Sequence, residues 1–201
     1  SHLESSLSVS LSAGTIPPGC GGDEMKSEIR FSGLGGQGII TAAVILGRAA
    51  ALYGGKYVVQ TQSYGPEARG GASASAVIIS DDPIYYPKVT DPDVYAIMSQ
   101  EAYNKYGSNV NKDAVMLIDP GYVTSRPACR YYEVPATAEA KSQLGKTVFA
   151  NVIMLGGIVE VTGIVSYDAL EHAVLDSVPK GTEENNKRAL AIGQELVRSQ
   201  I

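Results

Sequence analysis

The chain of 201 residues has no tryptophan and only two phenylalanines. Val, Ile, Leu and Ala must therefore fill its core. It has two cysteines, Cys20 and Cys129, and two histidines, His2 and His172, all far apart in sequence. None stands at metal- or cluster-ligating spacing, which excludes a zinc or iron–sulfur centre built by this chain alone. So few cysteines fit a reduced, cytoplasmic protein. Basic runs are missing, and the net charge is −5. That excludes a phosphate-backbone binder, so no nucleic-acid partner is expected. Every long apolar stretch is interrupted by Gly, Thr or charge within about 18 residues, too short for a membrane helix. No basic segment followed by an apolar one marks a signal peptide. No membrane association is expected.

What is present is an apolar fraction of 44% and 22 glycines, enough for a sizeable core and many tight turns. Residues 1–24, "SHLESSLSVSLSAGTIPPGCGGDE", are rich in Ser and Gly, unlike the rest of the chain. They are read as a vector-derived or flexible leader, with Met25 as a native start and residues 25–201 as a single domain. "LSVSLS" alternates like a strand, and the alternative is an arm that pairs with a neighbour.

From Lys26 onward the pattern alternates. "EIRFSG", "KYVVQTQ", "ASASAVIIS", "DVYAIMS", "AVMLIDP" and "CRYYEVP" read as strands. "GGQGIITAAVILGRAAALYG" reads as a helix closed by Gly54 and Gly55, and "QEAYNKYG" as a short one. The last third turns helical over roughly 136–144, 149–162, 166–176 and 182–198, with Ser166 and Thr182 as N-caps. The fold expected is a three-layer α/β/α domain. Its sheet is mostly parallel, doubly wound and Rossmann-like, and its C-terminal part is helical.

Two constellations carry chemistry. "GLGGQG" places Gly33, Gly35 and Gly38 as G-x-G-x-x-G between a strand and a helix. Gly33 permits a sharp exit, Gly35 and Gly36 permit close approach to the backbone, and Gly38 permits helix–sheet packing. The helix start attracts anions. A dinucleotide site also needs an acid about 20 residues on. None occurs between Gly33 and Glu67, and the second strand ends in neutral Gln60, Thr61 and Gln62. Either the glycines serve packing alone, or the turn holds a non-nucleotide anion or an interface. The second constellation, "SYGPEARGG", sets Tyr64, Glu67 and Arg69 among Gly65, Pro66, Gly70 and Gly71. Both loops leave carboxyl ends of strands, so they are expected at one edge, with Arg69 near the turn as an anion partner, Glu67 orienting it and Gln37 a polar lid contact. A Glu67–Arg69 surface ion pair is the plain alternative. Asp119 in "IDPG" is read as a turn residue, Cys129 as structural, and His172 as solvent-facing on its helix. No nucleophile–base set stands out, so the catalytic set on this chain is expected to be empty.

Together the two motifs give the chain a likeness. It resembles the gamma subunit, or gamma domain, of 2-oxoacid:ferredoxin oxidoreductases through "GLGGQGIITAA" at 33–43, "QTQSYGPEARGGASAS" at 60–75, "DVYAIMSQEAYNKY" at 93–106, "NVIMLGGIVEVTGIVS" at 151–166 and "VPKGTEENNKRALAIG" at 178–193. The loop wording is most similar to the 2-oxoglutarate-type branch; pyruvate- and 2-oxoisovalerate-type members are related. One departure is that Ala74 follows Ser73 where that branch is expected to carry a basic residue. The resemblance implies a non-catalytic subunit in a complex that decarboxylates a 2-oxoacid, passes electrons to ferredoxin and forms an acyl-CoA. It implies thiamine diphosphate, Mg2+ and iron–sulfur clusters on alpha, beta and ferredoxin-like delta partners. Coenzyme A is then a co-substrate at a rim made of residues 33–38 and 64–71. Made alone, such a chain is expected to self-associate through apolar faces left without partners. The rival reading is a stand-alone, Rossmann-like nucleotide-binding protein.

Overall fold

A computed structural model describes residues 9–11, 25–63, 71–89 and 91–201. Seven strands form one sheet: β1 (Val9–Leu11), β2 (Lys26–Leu34), β3 (Tyr57–Ser63), β4 (Ala72–Ser80), β5 (Val94–Ile97), β6 (Val115–Ile118) and β7 (Arg130–Glu133). Their order is β1-β3-β4-β2-β5-β6-β7. From β2 outward the pairs with β5, β6 and β7 are parallel. On the other side β4, β3 and β1 pair antiparallel in turn. Five of the seven strands thus run the same way. The hairpin has a simple cause. Eight residues join β3 to β4, too few for the dozen or so that a parallel crossover needs, so the chain returns antiparallel, and β4 enters the sheet between β2 and β3.

Helices cover both faces. α1 (Ile39–Arg48) continues as a wider π turn over Ala49–Tyr53, and α2 (Gln100–Ala102) does so over Tyr103–Gly107. α3 (Ala136–Leu144) is followed by a 3-10 turn, Thr147–Phe149, then α4 (Ala150–Thr162), α5 (Tyr167–Ser177) and α6 (Glu183–Arg198). Strand alternation sorts the core. Ile29, Phe31, Val77, Val94, Ala96 and Leu117 face a large cluster under α1, α4, α5 and α6. Tyr95, Ile97, Met116 and Ile118 face a smaller one with Ala102, Tyr103 and Cys129. The three layers are those the sequence implies, with a thin layer on the α2 side. Val9–Leu11, within the segment read as a leader, pairs with β3. No described helix is long and apolar enough to cross a membrane.

The N-terminal residues of the last helices differ in use. The Ser166 hydroxyl accepts from the Ala169 amide at 3.1 Å, as a cap should. Thr182 stands at the start of α6, but its hydroxyl donates to the Pro179 carbonyl at 2.6 Å. Its oxygen accepts from the Asn186 side-chain amide at 3.1 Å and from no backbone amide of α6, so the expected capping bond is absent.

α4 is buried along ten consecutive residues, 150–159. A helix that is apolar all round must be enclosed by its neighbours. Closure comes from glycines: a Cβ on Gly193 would strike the Ile153 carbonyl oxygen, and one on Gly156 the Leu190 carbonyl oxygen. The α4 and α6 backbones touch there. Gly193→Ala is therefore expected to destabilise the domain by about 3 kcal/mol or more, the upper range for overpacking. Urea unfolding with the wild type alongside measures it.

Candidate functional site

β2 ends at Leu34, and the chain turns through residues 35–37 into α1. Gly33 is buried, and a Cβ there would lie 2.5 Å from the Gln37 side-chain oxygen and 2.9 Å from Ile39. Gln37, expected as a lid contact, holds the turn together. Its Oε1 accepts from the Leu34 amide at 2.7 Å, and its Nε2 donates to the Met98 carbonyl at 2.9 Å, just past the end of β5. Gly36 and Gly38 lie in the left-handed region, with φ of 86° and 75°. Gly36 is exposed, and nothing lies within 4 Å of where its Cβ would be. At Gly38 a Cβ would lie 2.5 Å from Asn151 Nδ2. That same nitrogen donates to the Gly38 carbonyl at 3.3 Å, and Asn151 Oδ1 accepts from the Val152 amide at 3.0 Å. A buried amide thus pins the start of α4 against the start of α1.

The pinned ends frame a cleft of ≈ 460 Å³. Gly36, Gly38 and Thr41 line one side; Lys146, Thr147 and residues 149–152 line another; Val178, Thr182 and Asn186 close the third. Three helix N-termini open onto it. α1 and α4 have neither a side-chain cap nor an acid in the first turn. Each presents a partial positive charge of roughly half an elementary charge. α6 is different, because Glu183 and Glu184 stand in its first turn and Glu183 accepts from the Gly181 amide at 2.7 Å. Lys146 is exposed at the rim and makes no ion pair with a described residue. The cleft therefore favours an anion at the α1–α4 side.

The second loop leaves the sheet at the same edge. Ser63 pairs with Ala74, Gly33 with Ser73 and Leu34 with Ala72. The Ser73 hydroxyl donates to the Gly33 carbonyl at 3.3 Å. Both described ends of the loop thus lie on one side of the glycine turn, Gly71 one strand away and Ser63 two. Tyr64, Gly65, Glu67, Arg69 and Gly70 lie outside the described residues. The hairpin also bears on the dinucleotide reading. On one side β2 is flanked by β4, which starts at this edge with Ala72, and on the other by β5. No described strand end with a ribose-binding acid adjoins the turn.

Other residues singled out in the sequence have structural work. Asp119 is fully buried: Oδ1 accepts from the Gly121 amide, and Oδ2 from the Thr137 amide and hydroxyl at 3.0 and 2.7 Å. It ties the end of β6 to the start of α3. Cys129 is buried, and desolvation pushes its thiol up. His172 is exposed, with its ring edge-on to Tyr53 at 5.3 Å. The reading of the sequence passed over Asn151, Lys146, Thr182 and Asn186 as site residues. Asn151 did carry a signal: it is a polar residue at the head of the apolar run "NVIMLGGIV".

The family model for Pyruvate ferredoxin/flavodoxin oxidoreductase matches residues 28–196. The chain belongs to this family. It is 50% identical over 179 residues to the 2-oxoglutarate synthase subunit KorC of Methanocaldococcus jannaschii, covering 87% of this chain and 96% of that subunit. Among solved structures it is similar to the gamma subunit of a keto/oxoacid ferredoxin oxidoreductase from Geobacter sulfurreducens. The two are 42% identical with a TM-score of 0.78, over 86% of this chain and 99% of that one. It shares its fold, at 22% identity and a TM-score of 0.77, with 2-oxoglutarate:ferredoxin oxidoreductase from Magnetococcus marinus, solved with 2-oxoglutarate, coenzyme A and succinyl-CoA bound. There 87% of this chain covers 31% of a longer chain. The resemblance carried by the two glycine motifs is thereby confirmed.

Gly38→Ala should destabilise the domain more than Gly36→Ala. Both introduce about 1–2 kcal/mol of left-handed strain, and only the first meets Asn151. In a double-mutant cycle by urea unfolding, Asn151→Ala should lessen the cost of Gly38→Ala, a coupling absent with Gly36→Ala.

Proposed function

We propose that this chain is the gamma subunit of a 2-oxoglutarate-type 2-oxoacid:ferredoxin oxidoreductase, with residues 25–201 as its single domain. In this reading it works in the cytoplasm with alpha, beta and delta subunits. Those subunits carry thiamine diphosphate, Mg2+ and iron–sulfur clusters, and ferredoxin takes the electrons. One described cysteine, buried Cys129, offers no ligand set for a cluster. The substrate class is that of the KorC relative at 50% identity.

The observation that carries the reading is the shared edge. The glycine turn and the uncapped starts of α1 and α4 line one cleft beside Lys146, and the described ends of the 64–70 loop leave the sheet at the same edge as that turn. Such a rim suits the phosphates of coenzyme A. Backbone amides at the helix starts orient the anion, Lys146 and Arg69 add charge, and Glu67 holds Arg69 in place. The apolar side chains of Val148 and Ile40, both exposed near this rim, suit contact with a thiamine-bearing subunit. The rim's task is binding and shielding; the reacting atoms lie on the partners.

Co-expression with the genes beside its own should yield an assembly containing thiamine diphosphate and iron, measured by cofactor and metal analysis. A chain that purifies alone from such a co-expression overturns the assignment. In the assembled enzyme, Lys146→Ala and Arg69→Ala should each raise the KM for coenzyme A by about tenfold, equivalent to about 1.4 kcal/mol. The KM for the 2-oxoacid and the subunit composition should stay unchanged. An unaltered KM for coenzyme A removes that residue from the role.

A further inference from the structure

The two edges of the sheet are built differently. An edge strand offers unpaired backbone groups to any passing strand, and proteins blunt it with charge, proline, bulges or shortness. β7 uses several of these devices. It has four residues, with Arg130 and Glu133 at its ends. Gln200 reaches across to occupy it, with Oε1 accepting from the Glu133 amide at 3.0 Å and Nε2 donating to the Glu133 carbonyl at 2.7 Å. Arg126 pairs with the Glu133 carboxylate at 2.8 Å.

β3, at the opposite side, uses none. Its seven residues, "YVVQTQS", contain no charge and no proline. All seven stay in register with β4, so there is no bulge to twist the edge away. What covers it is β1, through Val9 with Gln60, Ser10 with Val59 and Leu11 with Val58. Among the described residues, β1 pairs with three of the seven positions. β1 also lies outside residues 28–196, the part shared with the family. The family domain thus brings a strand edge without protection, and an added segment sits on it.

We propose that β3 is a strand-accepting edge, that β1 caps it from within the chain, and that the uncapped edge pairs antiparallel with β3 of a second copy. A second copy fits because a two-fold axis sets a strand against itself antiparallel, so the surface needs to complement only itself. β3 meets that demand. Without charged residues it brings no like charges together across the axis, and Val59 and Thr61 give cross-strand contacts on one face. β7 serves less well, because it has four residues and Gln200 already holds the amide and carbonyl of Glu133.

Light scattering over a concentration series tests this on three proteins. The full chain should be a monomer. The chain cut to residues 25–201 should double in mass, and Thr61→Lys in that shortened chain should return it to the monomer mass. Should the shortened chain precipitate, the full chain carrying Val9→Pro, Ser10→Pro and Leu11→Pro replaces it. Three consecutive prolines remove every donor from β1 whichever way its amides point, and this protein should dimerise. The proposal is overturned by a full chain that is already dimeric, by an uncapped chain that stays monomeric, or by a dimer that Thr61→Lys leaves intact.

Discussion

The architecture depends on the approach of α4 to its neighbours at backbone distance. A helix buried over ten consecutive residues has no face left for solvent, so α6 and α1 must close on it without side chains in the way. Gly156 and Gly193 do this for α6, where any Cβ would strike a carbonyl of the facing helix. Gly38 does it for α1, where Asn151 occupies the space a side chain would need. Interiors pack densely enough that one methyl group at such a place is felt. These contacts also fix where α4 begins. Its first turn can only lie beside the glycine turn, so the cleft arises from the same constraint that closes the core.

That origin explains the electrostatics of the cleft. α1 starts at a glycine and α4 at Phe149, neither of which supplies a capping oxygen. Orphan amides at a helix start need a partner from outside the helix. α6 shows the alternative, with Glu183 and Glu184 supplying the negative charge from its own first turn. The contrast within one cleft gives it polarity: an anion is favoured beside α1, α4 and Lys146, and opposed near Glu183. In the proposed reading, a rim with this character suits a subunit that holds part of a substrate while other chains react with it.

Most of this was legible in the sequence, for physical reasons. Period-two runs such as "ASASAVIIS" and the 3.6-residue pattern of 182–198 report local geometry directly, and the observed elements fall within a few residues of them. The two glycine motifs suggested a shared edge, because loops at the carboxyl ends of like-directed strands must emerge together. Strand order was less legible. The direct β3–β4 connection implies an antiparallel return, but not that β4 would lie next to β2. Side-chain partners were least legible. Gln37 was expected as a polar lid contact and is the clamp of its turn. Thr182 had the right place for a cap and gave its hydroxyl to Pro179. Asn151 is one polar residue in an apolar helix, and its partner is 113 residues away. Contacts at that separation leave no period in the sequence.

The hairpin gives the glycine turn a meaning that its wording alone does not. In a doubly wound nucleotide site, the strand beside the glycine turn ends at the same edge and supplies the acid for the ribose. Here the neighbour on one side is β4, which begins at that edge with Ala72. On the other side is β5, followed by Ser99, whose hydroxyl caps α2 by accepting from the Ala102 amide at 3.1 Å. Neither neighbour offers a carboxylate. What the hairpin brings instead is a loop whose described ends, Ser63 and Gly71, stand together on one side of the turn, opposite β5. In the proposed rim, that loop exchanges the ribose acid of a nucleotide site for the guanidinium of Arg69. The same strand-turn-helix device is then tuned to a phosphate by replacing a crossover helix with a hairpin.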